Sequence, residues 1–249
     1  MQSTPLPSTG EKEIKVVRTY DRQVDLFNPS DPKMQVPIVL IGAGTIGSWT
    51  GLLLTKIGLN NLTVFDSDIV ENQNRANQVY GQEDLGLPKV VALHKSINTL
   101  SGIPINMGYR NFPEDYPFGI KDCIMLVTVD SMKSRIEIFE WLKKNFFNVK
   151  LFIDARTGGE VGRVFAFNPM IPSAMDEYAK TLHSDTPDVN MNEEVKRASE
   201  VKCTARSIVD VSVTVAARIV NTVRKYLTSK EYPFETNIDL RNDIWIVNK

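Results

Sequence analysis

Residues 36–68, VPIVLIGAGTIGSWTGLLLTKIGLNNLTVFDSD, constrain this chain more than any other stretch. They contain an apolar strand, a glycine-rich turn, a helix, a second apolar strand and an acidic end. Gly42, Gly44 and Gly47 form the pattern G-x-G-x-x-G, and Asp66 lies at the end of the second strand. Glycines let a backbone approach phosphates closely, and a carboxylate at that place can accept hydrogen bonds from ribose hydroxyls. The stretch therefore predicts a nucleotide-binding turn.

Strand and helix patterns alternate along the rest of the chain. They predict helices near 45–57, 89–100 and 132–147, and strands near 36–41, 61–65, 105–112, 123–129, 150–155 and 162–168. This alternation indicates an α/β fold: a Rossmann-like, doubly wound, mostly parallel sheet with helices on both faces. The apolar helix over 205–227 is expected to be packed on every side, in the core or at a subunit interface. The tail over 234–249 is expected to form a terminal strand or hairpin.

The domain organisation is expected to be simple. Residues 1–15 are polar and resemble a flexible N-terminal arm, while residues 16–249 form one domain with a mobile crossing segment near 170–202. The arm lacks the apolar core of a signal peptide and no segment is apolar enough to span a membrane, so a cytoplasmic location is expected. The 29 Lys and Arg against 30 Asp and Glu argue against a nucleic-acid partner.

The cysteines and histidines do not suggest a metal cluster. Cys123 and Cys203 lie far apart and form no C-x-x-C pair, so no zinc is expected. Cys123 lies within an apolar strand and is expected to be a packing thiol.

A second set of polar residues follows the acidic end of residues 36–68. Its members are Asn74, Arg75, Asn77, Gln78 and Lys89. Amides and cations at this place suit the larger charge of a triphosphate. Asp130 ends the apolar run CIMLVTV, at the predicted ligand edge of the sheet, where a carboxylate can hold Mg²⁺. The alternatives are a solvated helix start for Lys89 and a helix N-cap for Asp130.

Six blocks of the sequence resemble the ThiF/HesA-type adenylyltransferases, the family that includes ubiquitin-activating enzymes. These blocks are YDRQVDLF (20–27), IGAGTIGS (41–48), VFDSDIVENQNRANQ (64–78), LGLPKV (85–90), VTVDSMKSR (127–135) and CTARSI (203–208). The resemblance covers roughly residues 16–227 and implies ATP-dependent adenylation of the C-terminal carboxylate of a ubiquitin-like or sulfur-carrier protein. It also implies ATP and Mg²⁺ as ligands and a homodimer.

The same resemblance assigns roles to individual residues. Asp66 would hold the ribose, and Asn74, Gln78 and Lys89 would bind the phosphates. Asp130 would hold Mg²⁺, and Arg22 would reach the ATP of the opposite protomer.

The chain departs from the family at Asn77, where the family usually has arginine. Arg75, two residues earlier, is the candidate substitute in the phosphate site. The departure leaves open a non-catalytic scaffold subunit of the same fold. The glycine pattern by itself also leaves open an NAD-dependent oxidoreductase.

Cys203 is a candidate acceptor of the activated acyl group. It precedes a predicted helix, whose dipole favours a thiolate, and Lys202 and Arg206 add positive charge. CTARSI also resembles the segment around the acceptor cysteine of ubiquitin-activating enzymes, which implies a thioester step. The alternative is a small residue at a tight junction, in an enzyme that stops at the adenylate.

Overall fold

The computed structural model describes residues 19–109, 112, 121–182 and 208–248. Its strands are β1 Ile38–Ile41, β2 Leu62–Phe65, β3 Asn106–Gly108, β4 Cys123–Val127, β5 Val149–Gly158, β6 Val161–Phe167, β7 Glu235–Asp239 and β8 Ile244–Asn248. Its α-helices are α1 Thr45–Lys56, α2 Lys89–Ser101, α3 Met132–Asn145, α4 Pro172–Ala179 and α5 Val209–Leu227. These strands form one eight-stranded sheet in the order β3-β2-β1-β4-β5-β6-β7-β8.

The first five strands of this sheet are parallel, and they create the ligand crevice. Ile41, the last residue of β1, pairs with Phe65 of β2 on one side and with Val127 of β4 on the other. The chain order therefore reverses at β1, and ligands bind in such sheets outside the carboxyl ends of the strands at this reversal. The prediction of a doubly wound, mostly parallel sheet is confirmed.

Alternate residues of β1 enter two different hydrophobic cores. Ile38 and Leu40 pack in a core that also holds residues of α1, α2 and α5, whereas Val39 and Ile41 pack in a core with residues of α3 and α4. All four side chains are buried because helices cover both faces of the sheet. This explains why the strand is continuously apolar rather than alternating.

Helix α5 packs along one broad face, which differs from the expectation of burial on every side. Val211, Val215, Ile219 and Val223 are fully buried in the core shared with α1 and the sheet. Ala217, on another side of the helix, is exposed. The core of the same protomer therefore buries the apolar face of α5, and burial of this face does not require a second protomer.

Antiparallel strands complete the sheet, and the predicted terminal hairpin is confirmed as β7 and β8. Strand β8 is an edge strand with four consecutive apolar side chains that are each about half exposed: Ile244, Trp245, Ile246 and Val247. No helix in the described residues is long and apolar enough to cross a membrane.

The predicted mobile crossing segment near 170–202 requires a correction. Residues Pro172–Ala179 form α4, and Tyr178 is fully buried against the rings of Phe139, Phe152 and Phe167. This helix has only eight residues, so its inward-facing residues Ala174, Met175 and Tyr178 form no extended apolar period, and the polar stretch that follows dominates the composition of the segment. The rest of the segment from 183 onward, and Cys203, lie outside the described residues.

Candidate nucleotide-binding site

A cavity of about 970 Å³ opens at the carboxyl ends of β1, β2 and β4. The predicted site residues among its lining are Gly42, Gly44, Asp66, Asn74, Gln78, Lys89 and Asp130. These residues come from the turn after β1, the loop after β2, the start of α2 and the loop after β4. The fold therefore brings together, at one edge of the sheet, groups that are far apart in sequence.

The glycine-rich turn is held by strands on both sides. Gly42 N donates to Phe65 O at 2.8 Å, and Thr128 Oγ1 donates to Gly42 O at 2.8 Å. The Tyr80 hydroxyl donates to Ala43 O at 2.5 Å. Burial raises the pKa of Tyr80 well above its usual value, so this hydroxyl keeps its proton. The turn is therefore fixed before any ligand binds.

The three glycines of the turn have different reasons to be glycine. Gly42 has a φ of +96°, which favours glycine, and a Cβ atom on Gly47 would lie 1.9 Å from Gly42 O. A Cβ on Gly44 would meet nothing within 4 Å. The fold therefore requires glycine at 42 and 47, whereas at 44 the space is open. Gly44 is also the N-cap of α1 and gives it no side-chain cap, so the first N–H groups of the helix are available to an anion.

Asp66 is oriented by the backbone around it. Its Oδ2 accepts from Ala43 N at 2.7 Å and its Oδ1 accepts from Asp68 N at 2.8 Å. Burial raises the pKa of Asp66, although the charge of Lys89 and these two hydrogen bonds oppose that rise. The carboxylate keeps further lone pairs that can accept hydrogen bonds from ribose hydroxyls.

Lys89 is only 8% exposed, which excludes the solvated helix start considered as its alternative. It is the first residue of α2, and its Nζ donates to Asp68 Oδ2 at 2.7 Å. Sequence reasoning missed Asp68, although the pair of acids in "DSD" could have drawn attention to it. The ion pair keeps the ammonium group at the cavity wall, where a phosphate can bind it.

The side-chain amides in the loop between β2 and α2 have two roles. Asn74 Oδ1 accepts from Glu71 N at 2.8 Å and so holds the short 3-10 helix Asn72–Ala76. Asn77 Oδ1 and Gln78 Oε1 are buried at the cavity wall and find no hydrogen-bond partner in the described part of the chain. Buried polar atoms without partners are rare, so a ligand group beside them is indicated. Each of these oxygens accepts a hydrogen bond, so its partner would be a donor such as a water molecule, whereas the NH2 group of each amide is the part that can donate to a phosphate.

Asp130 is exposed and lines the cavity. The alternative role as N-cap of α3 belongs instead to Ser131, whose side chain accepts from Ser134 N at 3.1 Å. Within the described ranges, the Asp130 carboxylate makes no hydrogen bond or ion pair, and no three His, Cys, Asp or Glu side chains form a group that could hold a metal. Mg²⁺ commonly takes one or two carboxylates together with substrate phosphates, so Asp130 fits such an ion.

The structure does not bring Arg22 or Arg75 to the cavity. Both side chains are exposed, and neither is among the described residues that line it. Arg75 Nη1 instead donates to Asn72 Oδ1 at 3.1 Å. The interpretation of Arg75 as a substitute for the family arginine therefore finds no support, because its side chain leaves the loop on the solvent side. The role of Arg22 in an opposite protomer stays a prediction.

Sequence reasoning also missed an ion-pair cluster in the cavity wall: Arg135 of α3 with Asp154 and Arg156 of β5. Arg135 Nε donates to Asp154 Oδ1 at 2.9 Å, and Arg156 Nε donates to Asp154 Oδ2 at 2.7 Å. Burial alone would raise the pKa of Asp154, but the two guanidinium groups bring it below its usual value. An acid inside the apolar strand "KLFIDA" is the signal that could have pointed to such a cluster.

The model of the ThiF family matches residues 20–246. The chain belongs to the ThiF family. The match spans the cavity and the sheet up to residue 246, within β8, so the resemblance predicted from the six sequence blocks is confirmed.

Relatives with curated names cover parts of this ThiF-family chain. A probable molybdopterin-synthase adenylyltransferase of Gracilaria tenuistipitata var. liui is 29% identical over 194 residues, which are 74% of this chain and 53% of the relative. A ubiquitin-like modifier-activating enzyme 5 of Aedes aegypti is 34% identical over 67 residues, which are 27% of this chain and 17% of the relative. The chain thus spans about half or less of the length of these relatives.

Solved structures of MccB share the fold. The crystal structure of E. coli MccB with ATP has a TM-score of 0.66 at 15% identity, covering 93% of this chain and 70% of that chain. The microcin C7 biosynthetic enzyme MccB in complex with N-formylated MccA has a TM-score of 0.67 at 16% identity, covering 98% and 74%. At such identities the likeness establishes the fold.

The glycines provide the first test of the site. Gly44→Ala should leave the melting temperature nearly unchanged but weaken nucleotide binding, because the added methyl group would occupy the space where a phosphate approaches the helix. Gly47→Ala should cost roughly 1–3 kcal/mol of unfolding free energy, because its Cβ would clash with Gly42 O. Thermal unfolding and calorimetric titration of ATP measure both effects. Unchanged ATP affinity in Gly44→Ala would show that no phosphate lies there.

Proposed function

We propose that this chain binds Mg-ATP and adenylates the C-terminal carboxylate of a ubiquitin-like protein, a sulfur-carrier protein or a peptide. The main observation behind the proposal is at Gly44. This residue leaves the start of α1 without a side-chain cap and accessible from the cavity, although the fold does not require glycine there. Asp66 and Lys89 line the same cavity, where Ala43 N orients Asp66 and the Asp68 carboxylate holds Lys89. Family membership and the names of the relatives support adenylation as the reaction.

The reaction that suits this cavity is a displacement at phosphorus. A carboxylate oxygen of the substrate attacks the α-phosphorus of ATP, the bond to the β-phosphate oxygen breaks, and an acyl-adenylate and pyrophosphate result. Asp66 orients the ribose, while Lys89 and the N–H groups at the start of α1 stabilise the charge on the phosphates. Mg²⁺ held with ATP at Asp130 would neutralise further phosphate charge. Catalysis is then mainly positioning and charge compensation.

Asn77 favours a second candidate, a non-catalytic scaffold subunit of the same fold. The family arginine is absent at this position, and the neighbouring Arg75 faces solvent. Such a subunit would keep the cavity but fail to bind Mg-ATP in calorimetry. The buried amide oxygens of Asn77 and Gln78, which find no partner in the described residues, favour an occupied cavity over an empty one and are compatible with either candidate.

Asp130→Ala tests the proposed metal role. We expect ATP–pyrophosphate exchange, measured with a panel of small proteins ending in Gly-Gly, to fall by roughly a hundredfold or more, because phosphate charge loses a neutralising partner. The fold should be unaffected, since the Asp130 side chain is exposed. Glu137→Ala, an exposed acid on α3, is the control and should keep full exchange activity. An Asp130 variant with the wild-type exchange rate would contradict the assignment.

We propose further that the chain forms a two-fold homodimer in which Arg22 reaches the ATP of the partner protomer. Arg22 is exposed on a segment that precedes the sheet, and the same segment carries Leu26, which is 72% exposed. A segment that carries both a large exposed apolar side chain and a cation is suited to an interface between copies.

Mixing two inactive variants tests the action of Arg22 in the partner. In a heterodimer of Arg22→Ala and Asp130→Ala, one of the two sites would regain both wild-type residues. Random mixing should therefore restore about a quarter of the wild-type exchange activity, since half of the dimers carry one intact site. Sedimentation should show a dimer at micromolar concentration. A monomer, or no recovery on mixing two well-folded variants, would contradict the role of Arg22.

Thioester transfer through Cys203 is proposed as a step after adenylation. The thiolate would attack the acyl carbonyl carbon, a thioester would form, and AMP would leave. Cys203 lies outside the described residues, so its sequence context alone supports this step. In Cys203→Ala, pyrophosphate exchange should survive while a thiol-sensitive adduct between the chain and its substrate disappears. Cys123→Ala is the control, and an adduct that persists in Cys203→Ala would rule out this cysteine.

A further inference from the structure

The ion-pair cluster of Arg135, Asp154 and Arg156 carries one positive charge in excess. Asp154 is fully buried, and its side chain bonds to both arginines. One carboxylate thus neutralises only one of the two guanidinium charges, and both arginines line the cavity. A buried excess charge is costly unless an opposite charge joins it. The cluster is therefore suited to receive an anion from the cavity.

Arg156 is the member of the cluster that can reach such an anion. Its side chain is 17% exposed, against 5% for Arg135. Its Nη1 donates to Thr181 O and its Nη2 to Thr181 Oγ1, each at 3.0 Å, and its guanidinium lies 4.9 Å from the ring centroid of Phe165. These contacts fix the guanidinium plane, and each terminal nitrogen carries a second N–H. A planar, pre-oriented guanidinium suits a carboxylate.

The position of Arg156 separates it from the groups assigned to the nucleotide. Asp154 pairs with Val127 of β4, so β5 is the next strand beyond the one that leads to Asp130. Asp66 ends β2, and three strand spacings separate β2 from β5, which corresponds to roughly 14 Å along the sheet edge. Asp130 lies between these two ends. The wall around Asp66 is acidic and the wall around Arg156 is basic.

We propose that Arg156 binds the carboxylate of the substrate that is to be adenylated, opposite the ribose end of the cavity. This rests on the proposed adenylation and assigns it a further substrate-binding residue. Arg135 acts through Asp154, because it shares that carboxylate and so helps to hold the Arg156 guanidinium in place. A phosphate group of ATP, or the leaving pyrophosphate, is also an anion that a guanidinium can bind. It is therefore the competing candidate for the position beside Arg156.

Arg163 provides a matched control for Arg156. Its guanidinium lies 4.5 Å from the ring centroid of the same Phe165, and it pairs with Glu235. Its side chain is 40% exposed, and it does not belong to the described lining of the cavity. Arg163→Met therefore removes an equivalent stacked ion pair without touching the site. In Arg156→Met the buried Asp154 keeps Arg135 as a partner, which favours folding of the variant.

The test compares two peptides on the full-length chain saturated with Mg²⁺ and α,β-methylene ATP. The probes are Ala-Ala-Gly-Gly with a free carboxylate and the same peptide with a C-terminal amide, titrated by ligand-detected NMR. In the wild type and in Arg163→Met, the free carboxylate should bind about tenfold more tightly than the amide. In Arg156→Met this preference should vanish, while the affinity for the nucleotide analogue stays within about twofold.

The possible outcomes distinguish a failure of the Arg156 assignment from a failure of the proposed function. A carboxylate preference that persists in Arg156→Met, or that is absent from the wild type, would overturn the role of Arg156 while leaving ATP binding intact. Weakened binding of the analogue or of pyrophosphate to Arg156→Met would assign the cluster to phosphates instead. A wild-type chain that does not bind the analogue would refute the proposed function, and the role of Arg156 would fall with it.

Discussion

The hydrogen bond from Thr128 to the glycine-rich turn is the contact on which the site depends. It joins the end of β4 to Gly42 O, directly beside the place where the chain order of the sheet reverses. The close approach leaves no room for a side chain at Gly42 or Gly47. Asp66 supports the same turn from β2 through Ala43 N. The start of α1 is thereby fixed toward the cavity, so a phosphate that binds there would require little rearrangement.

Charge is distributed unevenly along the edge of the sheet. Asp66 and Asp130 lie near the β2 and β4 ends, whereas Arg135 and Arg156 dominate the β5 end. Carboxylates on one side suit ribose hydroxyls and a metal ion, and guanidinium groups on the other suit an anionic substrate. The proposed adenylation of a carboxylate would use both kinds of wall in one cavity.

Local patterns in the sequence predicted the parallel half of the sheet well, because burial on both faces makes β1 and β4 continuously apolar and the glycines fix the turn between β1 and α1. They failed for α4, which is too short for its inward-facing residues Ala174, Met175 and Tyr178 to form an extended apolar period. They also could not orient the cations that follow β2, because Lys89 at the start of α2 faces the cavity whereas Arg75 in the preceding loop faces solvent. The cluster around Asp154 depends on contacts between β5 and α3, which sequence spacing does not define.

Calorimetric titration of the full-length chain with Mg-ATP and, separately, with NADH tests the nucleotide assignment most directly. We predict saturable binding of Mg-ATP with a dissociation constant in the range of roughly 1 μM to 1 mM, as is usual for enzyme substrates, and no binding of NADH over the same range. Tight binding of NADH without binding of Mg-ATP would contradict the account and favour an oxidoreductase. Binding of neither nucleotide would contradict it as well and would favour the scaffold subunit.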